Sequence, residues 1–74
     1  MALVNKMDKI TRNSKVHDEV DAAYNVLEMG GKKYIQINTY GSKDRKAKGI
    51  VSQTIQLSEE AVEQLQSIID KEFS

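Results

Sequence analysis

The stretch Val20-Asp21-Ala22-Ala23-Tyr24-Asn25-Val26-Leu27-Glu28-Met29-Gly30-Gly31-Lys32-Lys33-Tyr34-Ile35-Gln36-Ile37-Asn38-Thr39-Tyr40 reads as two strands around one tight turn. Val20, Ala22, Tyr24 and Val26 alternate along the first run and share one face. Gly30-Gly31 is the turn, because a two-residue hairpin needs positive φ at both central positions and glycine meets that without a steric penalty. In the second run Ile35, Ile37 and Thr39 alternate with Tyr34, Gln36, Asn38 and Tyr40. A hairpin with one apolar and one polar face needs a partner for the apolar side.

Downstream, residues 41–49 form a polar loop, Gly-Ser-Lys-Asp-Arg-Lys-Ala-Lys-Gly, and residues 50–57 a third strand. Its apolar set is Val51, Ile55 and Leu57, interrupted by Gln53, and its polar set is Ser52, Thr54 and Gln56. The chain then changes period. Ser58 is an N-cap, since its hydroxyl can accept from the free amides of a first helical turn. Glu59 and Glu60 follow at the positive end of the helix dipole. Ala61, Val62, Leu65, Ile68, Ile69 and Phe73 recur at helical spacing as one apolar stripe, with Glu63, Gln64, Gln66, Ser67, Asp70 and Lys71 on the other side.

The expected fold is therefore α+β: an antiparallel sheet of three to four strands followed by one C-terminal helix. Ile35, Ile37, Val51, Ile55 and Leu57 are expected to pack on the helix. Residues 20–74 form the sheet-plus-helix unit. Residues 1–19 are an N-terminal arm or a first strand, with a fourth strand placed somewhere in residues 2–12 and a polar loop over 11–19.

Seventy-four residues make one domain, and a chain this short buries little core. Small domains usually add disulfides, a metal or a partner subunit. There is no Cys, and the single His17 makes no transition-metal site. No cofactor or metal is implied, so a homo-oligomer is the expected staple, most simply a two-fold dimer. No apolar run reaches the length of a membrane span, and the first residues lack the apolar core of a signal peptide. The reading is a cytoplasmic protein without a membrane partner.

Formal net charge is zero, yet six of the eleven Lys and Arg residues lie between positions 32 and 48. They are Lys32, Lys33, Lys43, Arg45, Lys46 and Lys48, opposed only by Asp44. From residue 50 onward five acids face one lysine. A polar sheet face carrying Tyr34, Gln36, Asn38, Tyr40, Ser52 and Thr54 beside that basic stretch suits a single-stranded polyanion. Tyrosines stack on bases, cations meet phosphates, and amides reach base edges. The same pattern also describes a solvated antiparallel face, or one that pairs with a two-fold mate.

Lys33-Tyr34-Ile35-Gln36-Ile37, then Lys48-Gly49-Ile50, then Ile55-Gln56-Leu57-Ser58-Glu59-Glu60-Ala61 resemble, in order and spacing, the positive cofactor four family of transcriptional coactivators and its small bacterial and phage relatives. The resemblance covers residues 24–73, about two thirds of the chain. It implies a curved antiparallel sheet followed by a helix, dimers or tetramers formed through the helices, and single-stranded DNA bound along the sheet. It places Lys33, Tyr34, Gln36, Asn38, Arg45, Lys46 and Lys48 near the nucleic-acid path. Tyr40 stands where relatives often carry Trp, and the loop lacks their Pro-Gly. A ribbon-helix-helix reading of residues 52–69 fails, since that fold needs a second helix.

No catalytic motif stands out. Asp18, Glu19 and Asp21 beside His17 are the candidates for a magnesium-dependent nicking activity, with Asp44 and Arg45 in the basic loop a weaker one. An exposed acidic surface explains them as well. The alternative function is a phage or mobile-element protein of the anti-CRISPR or anti-defence type, some of which look like this layout. It would act by nicking DNA or by docking a host nuclease on Glu59, Glu60 and Glu63.

Overall fold

The computed structural model describes residues 1–42 and 50–74, with Ser42 by its backbone alone. Its elements are β1 (Ala2–Val4), β2 (Val20–Met29), β3 (Lys32–Ser42), β4 (Val51–Leu57) and α1 (Glu59–Glu72). The strands form one sheet in the order β1-β4-β3-β2. The β2–β3 and β3–β4 pairs are antiparallel, as expected. The fourth strand exists at Ala2–Val4, but it runs parallel to β4, so the sheet is mixed and not antiparallel throughout. Parallel neighbours need a long connection. Here the chain between the parallel pair is residues 5–50, which includes β2 and β3, and residues 5–19 lead from the β1 edge of the sheet to the β2 edge.

Gly30 and Gly31 have φ of +60° and +78°, the geometry the hairpin demands. Met29 pairs with Lys32 across them, so the turn is the two glycines and nothing more. β3 continues to Ser42, two residues past the expected end, and the remainder of the basic loop, residues 43–49, lies outside the described residues.

Register sorts the side chains into two faces, because residues directly opposite one another project to the same side. Val26, Ile35, Leu57 and Val4 form one row, and Tyr24, Ile37, Ile55 and Ala2 the next. The other face holds Leu27 beside Tyr34, Asn25 beside Gln36 and Gln56, and Ala23 beside Asn38 and Thr54. At the far end the register breaks twice. Thr39 pairs with Gln53 but Tyr40 pairs with Val51, which leaves Ser52 as an extra residue. A second shift lies between Val20 and Ala22. Bulges of this kind bend and twist a strand. They also undo strict alternation, so Val51 leaves the row of Ile55 and Leu57 that its sequence spacing assigns it to.

The helix begins where expected. Ser58 caps it, its Oγ accepting from Ala61 N at 3.2 Å, and Phe73 closes it with its N–H on Ile69 O. It rests against β3 and β4. The first turn is where packing is tightest: Ala61 is fully buried and Leu57 is 7% exposed, and they are the only buried apolar residues described. The arm that follows β1 runs along the helix. Ser58 Oγ donates to Asn5 Oδ1 at 2.8 Å, Met7 N donates to Gln64 Oε1 at 2.9 Å while Gln64 Nε2 donates to Met7 O, and Lys9 reaches Glu72 at 3.0 Å.

The expected apolar sheet–helix sandwich is only partly formed. Ile55 remains 40% exposed, Val26 60% and Tyr24 72%, all on the face of buried Leu57. Val51 is exposed too, for the reason of register given above. One short helix cannot blanket four strands, and this one covers the sheet close to where it leaves β4. Among the described residues no helix is long and apolar enough to cross a membrane.

Candidate nucleic-acid interface

The polar face is built on the middle of β3 and β4. Gln36 sits opposite Gln56, and Asn38 opposite Thr54. Antiparallel pairing brings such side chains within about 4.5–5.5 Å at Cβ, close enough for amides to bond. Gln56 Nε2 donates to Gln36 Oε1 at 2.8 Å. Gln36 Nε2 donates along its own strand to Asn38 Oδ1 at 3.1 Å. Thr54 Oγ1 donates to the same Asn38 oxygen at 2.9 Å. Three amides and one hydroxyl thus form a continuous ladder, and each of these side chains is half-buried.

Such a ladder is cheaper to present to a ligand than four independent side chains. Each long polar side chain held in advance saves part of the roughly 0.5–1.5 kcal/mol that ordering it on binding would cost. The surface above it is a shallow groove of about 330 Å³, lined by Met1, Ala2, Leu3, Gln36, Thr54 and Gln56. Leu3, opposite Gln56, brings an apolar side chain of β1 to its rim, and apolar surface beside amides suits a flat heterocycle.

Tyr34 shares this face at the hairpin end, half-buried. It borders a smaller recess with Leu3, Lys32, Lys33, Ser58, Glu59 and Glu60. Glu59 Oε2 accepts from Lys33 N at 3.0 Å, which fixes the hairpin end to the helix start. It also sets a carboxylate beside the lysines, so cationic charge is partly offset at this end. Lys32 and Lys33 are exposed. Tyr40 is half-buried and lies at the double register break, with Val51 as its partner. Lys43, Arg45, Lys46 and Lys48 lie outside the described residues.

The structure therefore gathers Tyr34, Gln36 and Asn38 on one surface with Thr54, which the sequence reading put on the polar face without naming it a binding residue, and adds Gln56. Their signal was present in the alternation of β4. What singled them out is the cross-strand register, which depends on where the bulge falls. Of the acids on the helix, Glu59 is engaged with the hairpin, while Glu60 and Glu63 are exposed.

The nicking candidates do not assemble. His17, Asp18, Glu19 and Asp21 are exposed at the start of β2, and among the described residues no group of three or more His, Asp or Glu side chains is placed to hold a metal ion. No protein-family model, curated protein or solved structure matches the chain.

Proposed function

We propose that this protein binds single-stranded nucleic acid, DNA in the first instance, on the Tyr34–Gln36–Asn38 face, as a non-enzymatic relative of the positive cofactor four type acting in the cytoplasm. The observation that carries the reading is the amide ladder: preformed, half-buried, beside an apolar groove and next to a tyrosine. Amides reach base edges, Tyr34 offers a ring for stacking, and Lys32 and Lys33 flank the strand at one end. The basic residues Lys43, Arg45, Lys46 and Lys48, which follow β3 in sequence, supply further charge for phosphates.

The working form is a homo-oligomer, most simply a dimer in which a second copy covers the apolar face. The chain exposes 6830 Å²; a compact monomer of its 8.3 kDa mass would expose about 4,600 Å². Its radius of gyration is 14.4 Å, against about 11 Å for a compact chain of this length. Residues 8–19 are exposed throughout and contribute to this excess, so the share left for a partner is the sheet face the helix does not cover. Tyr24, Val26 and Ile55 give that surface its apolar centre.

The test is anisotropy of a labelled single strand across a salt series. Binding should weaken steeply, with a log–log slope approaching about −4 if all six cations meet phosphates. Replacing Lys46 and Lys48 with Glu should weaken binding and flatten the slope. Absence of binding at low salt would refute the reading.

A further inference from the structure

We infer that the ladder of Gln56, Gln36, Asn38 and Thr54 is a reversible hydrogen-bond relay that lets one surface accept bases of opposite polarity. This deepens the single-strand reading above and rests on it. Each amide–amide link in the ladder joins a nitrogen to an oxygen. The two ends of a carboxamide are nearly the same in shape. If all three amides turn over together, every link re-forms with donor and acceptor exchanged, and the Thr54 hydroxyl changes from donor to acceptor. No bond is lost. Partial reversal, by contrast, sets two oxygens or two nitrogens against each other, so the amides turn as a set.

The two arrangements present different chemistry outward. In the arrangement observed, the Asn38 oxygen is occupied by Gln36 and Thr54. Asn38 Nδ2 therefore offers donors at one end of the ladder and Gln56 Oε1 an acceptor at the other. In the reversed arrangement Asn38 offers its oxygen and Gln56 its nitrogen. Base edges come in the same two orders. Adenine and cytosine carry an exocyclic amine where guanine, thymine and uracil carry a carbonyl. A fixed row of donors would favour one class. A ladder that reverses satisfies either, so the surface holds single strands with little regard to sequence and still satisfies the buried parts of its amides.

The test is to lock the ladder. Asn38→Asp replaces the amide with a carboxylate that only accepts. Gln36 and Thr54 still donate to it, but reversal is lost and the outward group at position 38 becomes an acceptor. Asn25→Asp adds the same charge on the same face, on β2 opposite Gln36, outside the ladder. Affinities for homothymidine and homocytidine strands of equal length are measured for all three proteins, with circular dichroism as a check on folding. The wild type should bind the two within about threefold. Asn38→Asp should shift the ratio about tenfold toward cytidine, a difference of about 1.4 kcal/mol. Asn25→Asp should weaken both strands and leave the ratio alone. An unchanged ratio in a folded, binding Asn38→Asp protein overturns the relay but leaves strand binding standing. A wild-type preference above tenfold also overturns it. A wild type that binds neither strand overturns the underlying reading instead.

Discussion

The two faces of the sheet solve the same problem in opposite ways. The polar face has its needs met within one chain: Gln36, Asn38, Thr54 and Gln56 bond one another and are half-buried. The apolar face does not. Leu57 is buried beneath the start of the fold's helix, but Tyr24, Val26 and Ile55 on the same side stay in contact with solvent. Polar groups can satisfy each other pairwise at short range, whereas apolar groups need an area laid over them. Among the described residues there is one helix, of fourteen residues, to lay. On the reading proposed above, the polar face meets the ligand and the apolar face is covered by another copy.

The contrast can be broken at either end of one strand. Leu57 and Ile55 are two residues apart on β4 and share a face, yet one is buried and the other open. Leu57→Ala should cost about 2–5 kcal/mol, read as a lower denaturant midpoint, and a core this small leaves the variant largely unfolded. Ile55→Asp should leave the chain folded and break self-association. A carboxylate buried at the interface should weaken the dimer by at least a hundredfold, about 3 kcal/mol, measured by sedimentation equilibrium. On the polar side, Tyr34→Ala should weaken strand binding by about 1–3 kcal/mol with the salt slope unchanged, because stacking is lost and no phosphate contact is. The smallest effect belongs to Ser58→Ala, which removes the cap and the bond to Asn5. It should lower stability by about 1 kcal/mol and leave both faces' functions intact.

Much of this was legible in the sequence where a local signal exists. Gly30-Gly31 announces the hairpin because no other residue pair tolerates its φ values so cheaply. Ser58 followed by two acids and an apolar stripe announces the helix. The alternation of β3 places Tyr34, Gln36 and Asn38 together. What escaped has no local signature. Ala2–Val4 is too short to show a period, and its parallel pairing with β4 is decided by contacts more than fifty residues away. The arm's bonds from Asn5, Met7 and Lys9 to Ser58, Gln64 and Glu72 are of the same kind. The bulge at Ser52 moved Val51 out of the apolar row, and no glycine or proline stands at the break itself to mark it. The site followed the same rule in part: its β3 half and Thr54 were readable by alternation, while the pairing of Gln56 with Gln36 needed the register.

The most direct measurement is a nuclear magnetic resonance titration of the isotope-labelled protein with a short homothymidine strand. The account predicts the largest shifts at the side-chain amides of Asn38, Gln36 and Gln56 and around Tyr34, with Ala22, Tyr24 and Val26 unmoved. Shifts centred on Tyr24 and Val26, or none at any residue, would contradict it.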